Sequence, residues 1–292
     1  MQHLTHWAIA AFALELAPAI AFGLATERMT RMIDRWPLAV RVSVPAVLVA
    51  PYLLVSLSER IFRWDWFAVY AFLPVAMAWL LSHAVTADPN QRGNWRDAFI
   101  LLVLGLAVDL RWFDSAWPSG LHALNELFLV DSGLYAFLAI RKTTGTGFDF
   151  HLRAGDWKTG FRELLFFAPF VLILGLVLGF IHPHANRPGI ASAFLRWVLI
   201  FFFTAVPEEL FFRAWVQNLL ERRVGRGFAL VIASILFGLS HFNKRSTHFN
   251  WPYVLLATLA GVFYGRAWRE QRRVPASAIT HASVDWLWSL WF

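Results

Sequence analysis

Long apolar runs separated by short clusters of charge constrain this chain more than any other feature of its sequence. Only 15% of its 292 residues are charged and 58% are hydrophobic, against about 25% charged in an ordinary soluble domain. A water-exposed fold would need acids and bases over its whole surface, and here they are confined to the gaps between runs. The mean hydropathy of +0.52 agrees. Most side chains must therefore face lipid or one another, and the expected architecture is all-α, a polytopic transmembrane bundle.

A membrane helix takes roughly 20 mainly apolar residues. Candidate spans lie near 7–25, 38–57, 66–86, 97–110, 119–140, 164–182, 191–220, 228–242, 252–268 and 275–291. These make about ten spans, of which the fourth and eighth are short. Met1 to His6 lacks a basic leader, so the first run reads as a retained span. Basic residues in alternate loops test the count. One set holds eighteen: Arg28, Arg31, Arg35, Arg41, Arg92, Arg96, Arg141, Lys142, Arg153, Lys158, Arg162, Arg222, Arg223, Arg226, Arg266, Arg269, Arg272 and Arg273. The other holds six: Arg60, Arg63, Arg111, Arg187, Lys244 and Arg245. Ten spans with both termini on the non-cytoplasmic side of the cell membrane satisfy this bias.

A net charge of +7 raises the question of nucleic acid, but the basic residues form no single stripe. The expected partners are membrane lipids and a membrane-bound peptide or protein substrate, with no nucleic acid. The absence of cysteine excludes disulfides, thiolate metal sites and a cysteine nucleophile. The run Thr143-Thr144-Gly145-Thr146-Gly147 has the composition of a flexible linker. It separates an amino-terminal set of spans, 1–140, from a second set, 148–292. Residues from Phe148 to Glu163 mix aromatics with charges, as an interfacial amphipathic lead-in does.

Ionisable groups inside spans are costly and mark function or helix pairing. The seventh span carries Pro207-Glu208-Glu209-Leu210-Phe211-Phe212-Arg213. Glu209 and Arg213, four apart, share a face and can neutralise each other, whereas Glu208 points about 100° away. A purely structural ion pair explains the first two and leaves Glu208 without a partner. The eighth span ends Phe237-Gly238-Leu239-Ser240-His241, and the tenth holds His281-Ala282-Ser283-Val284-Asp285. The bland reading of His281 and Asp285 is an internal hydrogen bond; the functional one is an oriented imidazole. Ser240 is a poor nucleophile for His241, since adjacent helical positions diverge. Counting residues from the helix ends puts the three clusters at similar depths. Carboxylates and imidazoles in one low-dielectric chamber are equipped to activate water, with or without a divalent metal. The same groups also suit ion binding or proton relay in a transporter. Glu15, Asn125, Glu126 and Asp131 are further polar residues in the first half, fit for a second cavity or for helix pairing.

The ordered trio EExxxR, FxxxH and HxxxD resembles the CPBP family of intramembrane peptidases, also called the ABI or CAAX-protease family. The resemblance covers roughly 148–292, including the Gly261…Tyr264-Gly265 helix. It implies cleavage of a peptide bond near the membrane, as in removal of the last three residues of prenylated CAAX proteins. Bacterial members are linked to bacteriocin maturation or immunity. Carried over by position, Glu208 and His241 activate the water, His281 and Asp285 bind the developing oxyanion, and Glu209, Arg213 and Phe237 support them. A zinc ion on Glu208, His241 and His281 and a metal-free glutamate mechanism are both compatible with the family. Asp285 stands where the prenyl-protein proteases carry Asn, which favours orienting His281 or binding a cation over donating to an oxyanion. The alternative function is an ion- or proton-coupled transporter or a non-catalytic immunity or binding protein. HExxH and GxSxG signatures are absent.

Overall fold

The computed structural model describes residues 5–183, 188–244, 246 and 248–291. Arg187 and Arg245, both counted in the loop comparison, lie outside them. The described residues are mostly helical, with no β-strand among them. Among the described residues, six helices are long and apolar enough to cross a membrane: His6–Asp34, Leu38–Ser58, Trp64–Ala87, Ala123–Ile140, Ala154–Val177 and Ile190–Leu239. The expected ten are not all of this kind, for physical reasons. Trp95–Asp109 has 15 residues, less than a bilayer requires. The last two helices, Trp251–Gln271 and Val274–Trp291, are diluted in apolar character by Pro, Tyr, Trp and polar side chains, among them Tyr264, His281 and Asp285. The Ile190–Leu239 run contains a break at Gly225, whose φ of 80° and ψ of 166° are non-helical. That break joins the expected seventh and eighth spans without an intervening loop.

Contacts divide the chain into two compact units, Met1–Thr144 and Gly145–Phe292. In the first, α1 is His6–Asp34, α2 Leu38–Ser58, α3 Trp64–Ala87, α4 Trp95–Asp109 and α5 Ala123–Ile140. Thr5 caps α1 by accepting from the Ala8 amide, and Ala25 interrupts its helical dihedrals, so the helix bends and continues to Asp34. Asn94 and Asp97 form a reciprocal capping box on α4. Arg141, just after α5, is buried and donates to Asp97 at 2.8 Å and to Asp88 at 2.6 Å. One guanidinium thus ties the ends of three helices.

In the second unit, α6 is Ala154–Val177, α7 spans 190–224, α8 spans 226–239, α9 is Trp251–Gln271 and α10 is Val274–Trp291. The lead-in differs from the expected interfacial segment. Residues 148–153 are irregular, and a single helix begins at Ala154. Its acids are buried, with Asp156 held by Arg273 at 2.9 Å and Glu163 by Arg266 at 3.1 Å. Arg273 also reaches Asp149 at 2.7 Å. Partial burial pushes the Asp149 carboxyl up, but hydrogen bonds from Arg273 and His151 outweigh it and hold it at about 2. A carboxyl depressed in the folded state contributes stability above its ordinary titration range and loses that contribution as pH falls through about 2. Nor is the Thr-Gly run loose. Gly147 has φ +67°, where a Cβ would lie 2.0 Å from the Arg272 carbonyl oxygen, and its own carbonyl accepts from Val274 N.

Apolar side chains on α6 point outward, with Leu165 72%, Phe170 64% and Val177 76% exposed. Surface of that kind belongs against lipid. Inward packing depends on small residues. A Cβ at Gly238 would fall 1.9 Å from Thr258 Oγ1 and 2.6 Å from the Val254 carbonyl oxygen, which fixes α8 against α9 at backbone distance. Gly→Ala inside a helix ordinarily stabilises by about 0.5–1 kcal/mol, but overpacking costs about 1–3 kcal/mol. Gly238→Ala is therefore expected to lower the thermal midpoint. Gly227→Ala, which meets nothing within 4 Å, should leave it unchanged or raise it, as differential scanning in detergent would read.

Candidate active site

The site is assembled from α7, α8 with the turn that follows it, and α10. Along α7 the hydrogen-bond pattern widens to π turns at Phe201–Ala205 and Leu210–Gln217, leaving one α turn, Val206–Glu209, between them. Such widenings recur at functional sites because they redirect side chains. Here both adjacent glutamates reach the same imidazole, from opposite sides. Glu209 Oε1 accepts from His281 Nδ1 at 2.9 Å, while Glu208 Oε2 lies 3.9 Å from His281 Nε2. Regular helical geometry had set Glu208 and Glu209 on separate faces; the π turns and the close approach of α10 bring them to one ring.

Glu209 also takes the charge of Arg213, whose Nε donates at 2.9 Å, and both side chains are fully buried. The Arg213 guanidinium lies over the Phe237 ring, 5.2 Å from its centroid. Phe237 is the hub of the site. Its ring is 4.9 Å from His241, 5.6 Å and perpendicular from His281, and 5.7 Å from Tyr264. Tyr264 stacks on His281 at 4.5 Å and 15°. The tyrosine therefore fixes the imidazole plane, a role that its sequence position alone did not reveal.

Asp285 Oδ2 is 3.4 Å from His281 Nε2, so the internal pair expected from the i, i+4 spacing forms. Asp285 shares the ring with both glutamates, and the imidazole has three carboxylates around it. His241 sits in the turn beyond α8, where its Nδ1 is 2.8 Å from the Phe237 carbonyl. A carbonyl accepts only, so Nδ1 carries the proton and Nε2 is the lone-pair nitrogen. Ser240 Oγ is 3.2 Å from the same Nδ1, closer than helical divergence allows, because the α-helix ends at Leu239. Both groups spend their hydrogens on the Phe237 carbonyl, so His241 is no base for Ser240.

Glu208, Phe237, His241, His281 and Asp285 line one cavity of about 200 Å³. Most of its remaining wall is apolar, including Val171, Leu172, Phe180, Ile181 and Trp288, and Thr204, Lys244, Tyr253 and Tyr264 complete it. Glu208 Oε2 is buried with no hydrogen-bond partner, and Oε1 has the ammonium of Lys244 at 3.7 Å. Lys244 was read from sequence only as a loop charge; its signal was its position three residues beyond His241, at the same end of α8.

Among the described residues no group of three or more His, Asp or Glu side chains is arranged to hold a metal ion. Glu208, His241 and His281 do not make one in this arrangement. Both nitrogens of His281 face carboxylates, and a cation already stands beside Glu208. In the first unit, Glu15 and Asp131 are buried beside one another. Asn125 Oδ1 accepts from Tyr70 and Trp117, which joins α3 to α5, and Glu126 is exposed. Asn125 thus serves helix pairing and not a cavity with Glu126.

Residues 190–287, about a third of the chain, match the family model described as type II CAAX prenyl endopeptidase Rce1-like. No curated protein and no solved structure gives a significant match. The matched segment contains all of Glu208, Glu209, Arg213, Phe237, His241, His281 and Asp285. The polar residues of the cavity thus fall in a segment that is similar to CAAX-type prenyl endopeptidases, while part of its apolar wall, from Leu164 to Ile181, lies outside the match.

Proposed function

We propose that this protein is an intramembrane endopeptidase that hydrolyses a peptide bond of a membrane-associated substrate. One observation supports this most directly: a buried, unpartnered carboxylate oxygen of Glu208 and the lone-pair nitrogen of His241 belong to the same partly apolar cavity. A water between them has two acceptors for its hydrogens, which aims an oxygen lone pair at a substrate carbonyl. In the forward step the water oxygen bonds to the carbonyl carbon, the carbonyl π pair moves to its oxygen, and one water proton passes to Glu208. Collapse re-forms the carbonyl, breaks the carbon–nitrogen bond, and returns that proton from Glu208 to the departing amine.

His241 orients the water and Glu208 moves the proton. His281, clamped by Glu209, Asp285 and Tyr264, is the rigid floor of the site, and Arg213 balances Glu209. This scheme runs through no metal. The apolar wall suits a hydrophobic substrate segment, and a prenylated CAAX-type carboxy terminus is the class the family match supports. The protein acts in the cell membrane, with its termini on the non-cytoplasmic side.

The test is purified full-length protein in phosphatidylcholine vesicles, given a farnesylated peptide ending in a CAAX sequence, with products read by mass spectrometry. Release of the terminal tripeptide, with metal content well below one ion per chain, is the expected result. No cleavage by wild type, or cleavage that survives Glu208→Ala, would sink the reading.

A further inference from the structure

Lys244 has no role in the scheme so far, yet its ammonium is 3.7 Å from Glu208 Oε1 and lines the reaction cavity. The backbone holds it there. Its amide donates to the His241 carbonyl at 3.3 Å, and its own carbonyl accepts from Asn250 Nδ2 at 3.0 Å. Asn250 Oδ1 in turn caps α9 by accepting from the Tyr253 amide. A turn anchored to a helix start therefore presents a cation to the site.

Building on the peptidase reading, we infer that Lys244 is a catalytic residue that binds the oxyanion formed on the scissile carbonyl. The other charged donors are committed. Arg213 is fully buried on Glu209 and covered by Phe237. His281 directs Nδ1 to Glu209 and Nε2 toward Asp285 and Glu208. Asp285, an acceptor when ionised, replaces a side chain that could donate. Among the described residues, Lys244 is the remaining cation on the cavity wall.

Charge movement gives the physical reason. At the start the negative charge is on Glu208, paired with the ammonium. As the carboxylate takes the water proton, an equal charge appears on the carbonyl oxygen, a few ångströms away. A lysine between the two positions loses one partner as it gains the other, so its stabilisation grows toward the transition state. Reading the substrate's terminal carboxylate is a weaker role for it. Three extended residues put that group about 10 Å beyond the scissile bond, whereas Lys244 stands against the base itself.

The experiment uses the same vesicles and farnesylated peptide, with Lys244→Ala and Lys244→Arg, and a phosphonate analogue of the peptide as a tetrahedral anionic mimic. Lys244→Ala should lower kcat by about 100-fold, as loss of one oxyanion donor does, with KM changed less than about threefold. Phosphonate inhibition should weaken by a similar factor, and Lys244→Arg should restore at least a tenth of both. A rise in KM with kcat intact would assign Lys244 to substrate binding and overturn the inference. Unchanged phosphonate affinity would overturn it too, whatever happens to turnover. Wild type that cleaves in a Glu208-dependent way while Lys244→Ala has no effect would sink this proposal alone. Should wild type not cleave, the peptidase reading fails, and phosphonate binding still decides whether Lys244 holds an anion beside Glu208.

Discussion

Glu208→Gln is expected to reduce kcat on the farnesylated peptide by about a thousandfold or more, with KM within a factor of about three. The amide has nearly the shape of the carboxylate, so the cavity and its contacts persist. What it lacks is the capacity to take a proton from water and return it to the leaving amine. The carboxylate is also half of the pair with Lys244, and losing its charge frees the ammonium without harming the fold. The thermal midpoint should therefore move little, since this side chain is only partly covered, with a quarter of its surface exposed. Stopped turnover with normal stability is the pattern of a reacting group. A comparable fall in both would mean instead that Glu208 is structural.

Glu209→Ala should behave differently, losing both stability and activity. Arg213 is completely buried, its Nη atoms have no hydrogen-bond partner, and Glu209 is its neutralising neighbour. Removing one member of a buried pair costs about 3–5 kcal/mol, because the other charge is left without compensation. In a domain of about 150 residues that lowers the midpoint by roughly 10 °C. The double substitution Glu209→Leu, Arg213→Met removes both charges and should recover most of this loss. It should not recover cleavage, since His281 Nδ1 would still lack the acceptor that sets its ring. If the double variant were fully active, Glu209 would matter only as a counter-ion to Arg213, and the clamp on His281 would carry no catalytic weight.

Much of the site was legible because intramembrane charge is expensive and therefore conspicuous. The i, i+4 spacings of Glu209 with Arg213 and of His281 with Asp285 predict contacts that form at 2.9 and 3.4 Å, since helical geometry makes such neighbours whatever the rest of the fold does. Two kinds of information stayed hidden. One was the shared use of Glu209, which was expected to serve Arg213 and also holds His281 from 72 residues away. The other was Lys244, which in sequence is one of several loop cations and differs from them only through the turn that Asn250 anchors.

The sequence by itself determined that the chain is a helical membrane protein and which polar residues have no business facing lipid, because solvent preference and helical periodicity are local properties of a chain. Tertiary structure decided the rest. Gly225 merges two expected spans by a dihedral choice, π turns aim neighbouring glutamates at one imidazole, and glycine-mediated contact of α8 with α9 sets where His241 lies. Those outcomes depend on packing between segments far apart in the chain, and no local pattern of residues encodes the distance between them.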